Sequence, residues 1–155
     1  MTDSRICIAL DFQNKAEVKE FLEKFNDEKL YVKVGMELFY GEGIEIIKMI
    51  KEMGHNIFLD LKLHDIPNTV KSAMKQLAKL EVDMVNVHAS GSIAMMKAAI
   101  EGLEAGKTGD KRPLCIAVTC LTSLDQEVLD NELLINDTLE NVVLKWATNA
   151  KEAGL

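Results

Sequence analysis

Cysteine is scarce in this chain. Cys7, Cys115 and Cys120 are three in number, with no C-x-x-C among them. An odd, sparse set of this kind supplies no disulfide framework and points to free thiols in a reducing cytoplasm. Cys7 and Cys115 fall in apolar strand runs, where a thiol is expected as a small core residue. The three histidines, His55, His64 and His88, lack the spacing of a metal site, so no structural metal is expected. Positive charge is also short. Eighteen Lys and Arg against 25 Asp and Glu leave a net charge of −7, and with no local basic cluster this argues against a nucleic-acid surface. No apolar run approaches bilayer length, and Met1-Thr2-Asp3-Ser4-Arg5 leads into a strand without the layout of a signal peptide. A complete phosphate-loop string is missing as well: Gly106-Lys107-Thr108 precedes a strand instead of following one, and reads as part of a solvated connection.

What is present fits one domain over residues 1–155 with a substantial core, 48% of the residues being apolar and 28% charged. Strand and helix patterns alternate five times without a strong linker. The strands are residues 5–11, 30–35, 57–63, 82–88 and 114–119. Helices are expected from Lys15 to Phe25, Gly43 to Met53 (closed by Gly54), Asn68 to about Leu80 and Ser92 to Leu103. A short helix follows a capping box at Ser123-Leu124-Asp125-Gln126. A last helix is capped by Asp137 or Thr138, with Leu139, Val142, Val143, Trp146 and Ala150 on its inner stripe, and ends at Gly154. Such alternation means a parallel sheet with right-handed crossovers; a doubly wound open sheet and a (β/α)8 barrel both satisfy it.

The most informative stretch is Phe58-Leu59-Asp60-Leu61-Lys62-Leu63-His64-Asp65-Ile66-Pro67-Asn68-Thr69. It begins as a buried strand and places charges inside an apolar run, which costs several kcal/mol per ion, an order-of-magnitude figure, unless the charges are paired. Asp60 and Lys62, two apart, are expected on one strand face. Asp65 follows where Pro67 ends the ladder and Asn68-Thr69 resembles a helix cap. A structural salt bridge is the plain alternative. Against it, every strand delivers polar residues at its C-terminal end: Asp11, Lys33, Asp60 with Lys62, His88, and Thr119 with Thr122. In a parallel sheet these ends share one rim, which in barrels is the catalytic face. Adjacent strands lie about 4.8 Å apart, putting Lys33 within reach of Asp60 and Lys62. An opposite pair at roughly 4 Å gains about 4 kcal/mol before desolvation at an effective dielectric near 20.

Asp60-x-Lys62-x-x-Asp65-Ile66-x-x-Thr69 resembles the signature of the orotidine 5′-monophosphate (OMP) decarboxylases. Ile8-Ala9-Leu10-Asp11, Val32-Lys33-Val34-Gly35, Val87-His88-Ala89 and Val118-Thr119-Cys120-Leu121-Thr122-Ser123 resemble that family's other blocks, in the same order. The resemblance implies a (β/α)8 TIM barrel and cofactor-free decarboxylation of OMP to UMP in pyrimidine biosynthesis. It implies that Lys33, Asp60, Lys62 and Asp65 form an alternating charge network in which Lys62 protonates C6 as carbon dioxide leaves. Asp11 and Lys33 would hold ribose hydroxyls. Asp65 and Thr69 would reach the ribose of a partner's site in a homodimer. Ile66 would pack by the departing carboxylate, and Thr122 would lie near the base or phosphate.

Sister enzymes on the same scaffold, a keto-gulonate-phosphate decarboxylase or a hexulose-phosphate synthase, share D-x-K-x-x-D but use magnesium and an acid at the position of Lys33, which would repel a metal. A third alternative is an inactive half-barrel or non-enzymatic binding module. The resembled enzymes are longer, with phosphate-gripping residues beyond a sixth strand, so the 155 residues correspond to about the first five βα units. The expected outcome is that these 155 residues, purified alone, turn over no OMP. Absorbance-monitored turnover above background would contradict it.

Overall fold

In the computed structural model, which describes residues 6–25 and 27–155, alternate strand residues sort onto two unlike faces of one parallel sheet. The strands are β1 (Ile8–Ala9), β2 (Tyr31–Gly35), β3 (Asn56–Leu63), β4 (Met84–His88) and β5 (Leu114–Val118), and they pair in sequence order. Val32, Val34, Ile57, Leu59, Val85, Val87 and Cys115 face the helical layer and are buried. Tyr31, Lys33, Phe58, Met84, Leu114 and Ile116 alternate with them and remain partly or largely open. Register puts Lys33 beside Phe58, Phe58 beside Met84, and Met84 beside Leu114, so one layer runs across the open face. Parallel sheets are ordinarily covered on both sides.

Sequential order without a reversal decides between the two architectures left open by the sequence. A doubly wound sheet reverses its strand order and receives helices on both faces. Here every right-handed crossover carries its helix to the same side, as in a barrel wall. The helices are α1 (Lys15–Leu22), α2 (Met36–Glu42), α3 (Ile44–Glu52), α4 (Pro67–Ala78), α5 (Ile93–Gly106), α6 (Gln126–Asn131) and α7 (Leu139–Ala153). Among the described residues no helix is long and apolar enough to cross a membrane.

Several elements depart from the expected pattern for local reasons. The expected first strand shortens to two residues; Arg5 lies outside the described residues, and Cys7, outside the ladder, is exposed instead of a core thiol. Cys115 does lie in the core, where burial raises its thiol to about 11. The α1 helix tightens after Leu22 into a 3-10 turn over Glu23–Phe25. The α2 helix, seven residues with Leu38 alone buried, is too short for a visible stripe; Gly43, at φ 65°, separates it from α3. Pro67 begins α4 at its first turn, where its missing N–H costs nothing, so Asn68 and Thr69 lie inside the helix instead of capping it. Asp125, not Ser123, caps α6, accepting from the Val128 amide at 2.9 Å. Gln126 instead accepts from the Leu139 amide at 2.8 Å, tying α6 to α7. Thr138 caps α7. On that helix Val142 and Ala153 are buried and Trp146 and Ala150 pack on the core, whereas Leu139 and Val143 line an open apolar groove.

The tightest helix pair is α4 against α5. At Gly102 and Gly106 a Cβ would collide with the carbonyl oxygens of Lys71 and Lys75, so this approach exists only because those side chains are absent. Alanine at Gly102 gains helix propensity of about 1 kcal/mol but forces the helices apart. The expected net effect of Gly102→Ala is destabilisation by about 1–3 kcal/mol, read as a lowered urea midpoint at unchanged slope.

Candidate active site

The rim at the C-terminal ends of the strands gathers Lys33, Asp60 and Lys62. Asp60 ends the paired stretch of β3 beside Gly35 of β2. Lys33 is therefore two residues below Asp60 and reaches it lengthwise, past a glycine whose added Cβ would meet the Lys33 Nζ at 3.5 Å. Lys33 Nζ stands 3.8 Å from Asp60 Oδ2 and 3.4 Å from Asp11 Oδ1. Lys62 Nζ donates to Asp60 Oδ1 at 2.7 Å.

Plain two-residue alternation does not produce the Asp60–Lys62 pair. The β3–β4 register shifts between Leu59 and Leu63, and Lys62 adopts φ 52°. Left-handed backbone at a non-glycine residue costs on the order of 1 kcal/mol and leaves the Lys62 amide outside the ladder. Asn86, on β4 and 2% exposed, fills that gap. Its Oδ1 accepts from the Lys62 amide at 2.8 Å, and its Nδ2 donates to Asp60 Oδ1 at 2.6 Å. The sequence does carry a signal for it, an amide between Val85 and Val87 in a strand otherwise apolar, but the amide stands one turn of alternation below the strand end, where His88 draws attention first.

Burial pushes the Asp60 carboxyl upward, yet hydrogen bonds from Lys62 and Asn86 and the charges of Lys62 and Lys33 outweigh it and hold the group below the ordinary carboxylate value. Asp60 is thus a fixed anion between two cations. One oxygen accepts from Lys62 and Asn86, and the other stands near Lys33. His88 is held below the ordinary imidazole value by burial, then by His64 and Lys62; the His64 and His88 rings lie 5.7 Å apart. His55 is buried elsewhere and accepts from the Leu30 amide at 3.2 Å.

Of the remaining expected site residues, Asp11 makes an ion pair with the cluster, whereas Asp65, Ile66, Thr69 and Thr122 make none. Asp11 is largely exposed and joins through Lys33. Asp65 is exposed and accepts from the Ile66 amide at 2.6 Å, with no ion pair to Lys33 or Lys62. Ile66 is 67% exposed, and Thr69 and Thr122 are exposed. Among the described residues no group of three or more His, Cys, Asp or Glu is placed to hold a metal ion. A cavity of about 500 Å³ opens at the opposite end of the sheet, lined by Tyr31, Asp83, Lys107, Arg112 and Leu114. The charge cluster is not part of it, and parallel α/β architectures build their chemistry at the other rim.

The pH dependence of stability follows from Asp60. A depressed folded value contributes stability that is present above 3.8, the ordinary value, and is lost as pH falls through the folded value. Asp60→Asn is expected to flatten the acid limb of the stability–pH curve below 3.8, measured by chemical unfolding across pH. An unchanged acid limb would show that Asp60 carries no such linkage.

Comparison with known proteins gives consistent results. The family model described as "Orotidine 5′-phosphate decarboxylase / HUMPS family" matches residues 4–155. The chain is 62% identical to an orotidine 5′-phosphate decarboxylase of Bacillus mycoides over 97% of its own length and 63% of the relative's. It is 61% identical to that of Bacillus cytotoxicus over the same shares. A crystal structure of an uncharacterized conserved protein from Geobacillus kaustophilus superposes with a TM-score of 0.94 at 57% identity, covering 96% of this chain and 70% of that one. The orotidine 5′-phosphate decarboxylase of Lactobacillus acidophilus superposes with a TM-score of 0.90 at 44% identity, covering 96% and 67%. The chain thus spans 63% of the length of the curated relatives it matches.

Proposed function

The chain belongs to the orotidine 5′-phosphate decarboxylase / HUMPS family, and from that premise we propose that it supplies the charge network of a decarboxylase converting OMP to UMP without a cofactor. Its five strand–helix units are the first part of a (β/α)8 barrel; we read residues 1–155 as a single, partial barrel domain. The observation that carries the functional proposal is the Lys33–Asp60–Lys62 cluster, with an anion held between two ammonium groups at the rim where such barrels act.

Decarboxylation breaks the bond from C6 to the carboxylate, leaves the electron pair on C6 and releases carbon dioxide. With no electron sink in the pyrimidine, the developing charge needs electrostatic stabilisation by groups already in place. Lys62 provides a fixed ammonium beside C6 and delivers a proton to it; water reprotonates the amine. Asp60 holds that ammonium and, facing the substrate carboxylate, disfavours the bound ground state more than the state in which the carboxylate has become neutral carbon dioxide. Asp11 and Lys33 hold ribose hydroxyls, and Thr122 lies toward the base or phosphate. Binding energy from the remote phosphate offsets the repulsion.

Asp65 and Thr69 act in the site of a second copy, and Ile66 packs by the departing carboxylate. Their exposure, and that of Met36 (44%) and Tyr40 (71%) following the neighbouring strand end, supports a homodimer formed on this rim. The product belongs to pyrimidine nucleotide synthesis in the cytoplasm. Lys33, between Asp11 and Asp60, would repel a metal where the magnesium-dependent sister enzymes carry an acid, and so disfavours that alternative.

The test is absorbance-monitored decarboxylation of OMP by the product of the full open reading frame and by its Lys62→Ala variant. The expected result is turnover by the parent and a loss of about 1,000-fold or more in the variant. A folded parent without OMP turnover would overturn the proposal, as would a Lys62→Ala variant of unchanged rate.

A further inference from the structure

We infer that Asn86 is a positioning residue for the reaction, setting the place of the Lys62 ammonium by clamping the bulged backbone of Lys62 and the carboxylate of Asp60 with its one amide group. The inference rests on the decarboxylase proposal for its catalytic part alone; the clamp itself is a matter of geometry.

Three observations carry it. First, the break in the β3–β4 ladder between Leu59 and Leu63 deprives the Lys62 amide of a backbone acceptor, and Asn86 Oδ1 supplies one at 2.8 Å. A buried amide left without a partner is costly, so the left-handed Lys62 backbone depends on that acceptor. Second, Asn86 Nδ2 donates at 2.6 Å to Asp60 Oδ1, the oxygen that also receives the Lys62 ammonium at 2.7 Å. Both ends of Lys62, backbone and side chain, are therefore referred to one amide plane. Third, Asn86 is 2% exposed in the wall of the sheet, beside Ile116 of β5 by register, so no water takes over either bond.

An asparagine suits this position because it alone among residues of its size accepts at one end and donates at the other without charge. Aspartate would keep the acceptor for the Lys62 amide but set a second carboxylate against Asp60. Protonated, that aspartic acid regains a donor and matches asparagine in shape and polarity. The titratable groups facing the position are Asp60, Lys62 and His64 from β3 and its end, Lys33 from β2 and His88 from β4; β5 offers the apolar Ile116.

The experiment uses the full-length protein with Asn86→Ala and Asn86→Asp, and reads two quantities. Hydrogen exchange of the Lys62 amide is followed by nuclear magnetic resonance, with the Val85 amide as the reference for global opening. OMP turnover is followed against pH, with kcat and the UMP dissociation constant determined separately. The expected result for Asn86→Ala is an accelerated Lys62 amide beside an unchanged Val85 amide. Its kcat is expected to fall about 100-fold, the scale of a displaced catalytic group, with UMP affinity altered far less. Asn86→Asp is expected to recover turnover as pH falls, along a limb that the parent lacks. If Asn86→Ala does not fold, the near-isosteric Asn86→Leu, which removes the acceptor and the donor together, carries the exchange reading and Asn86→Asp the turnover reading.

Unchanged Lys62 exchange in folded Asn86→Ala or Asn86→Leu, which lack the acceptor, would overturn the clamp. Changed exchange with kcat unaffected, or with pH profiles parallel to the parent, would overturn the positioning role. Should the parent itself fail to decarboxylate OMP, the decarboxylase proposal falls with the positioning role, while the exchange comparison still decides the clamp.

Discussion

The rest of the site depends on one buried carboxylate. Asp60 lies in a strand between Leu59 and Leu61, with Ile57 and Phe58 before them, a place where a lone anion would be intolerable. It is retained because Lys62 and Lys33 approach from two sides and Asn86 adds a hydrogen bond from below. Lys62 needs something unusual of the chain in turn, a left-handed backbone and a broken ladder. The helical layer, with its close α4–α5 contact through Gly102 and Gly106, fixes the strands against which these departures are measured.

Such a cluster makes chemical sense only if its fixed charges act on something. Held so firmly, Asp60 contributes no proton near neutrality, and its role in the proposed reaction is to keep an ammonium oriented while presenting negative charge to the rim. An electrostatic device of that kind suits a reaction whose difficulty is a localised carbanion, and suits poorly one that requires a proton to be taken up by a carboxylate. The open face of the sheet, with Leu114 at 60% and Ile116 at 41% exposure, is the face that a (β/α)8 barrel turns inward.

Much of this was legible in the sequence. The order of strands and helices and the convergence of Lys33, Asp60 and Lys62 follow from apolar runs, their spacing and the polar residues that end them. Periodicity alone does not choose between barrel and doubly wound sheet, because strand order is a property of pairing and leaves no trace in local spacing; the barrel is legible only through the five ordered blocks that resemble a known family. Pro67 stands within the first turn of α4 and not ahead of it, and the sequence does not reveal this, since a proline that breaks a ladder and one that opens a helix look the same in a string. Asn86 escaped notice for a different reason. Its importance comes from a bulge on the neighbouring strand, and a bulge is set by tertiary pairing, whereas alternation alone predicts the Asp60–Lys62 pair without any need for a third residue.

The most direct test of the central claim, that preorganised charge at this rim stabilises an anion at C6, is an affinity comparison on the full-length protein by calorimetry. UMP would be measured against a UMP analogue bearing an oxyanion at C6. The account predicts that the anionic analogue binds at least about 100-fold tighter, the lower end for mimics of a transition state, and that Lys62→Ala abolishes the difference. Equal affinities in the parent protein would contradict it, because a cluster indifferent to charge at C6 has no means of lowering the barrier there.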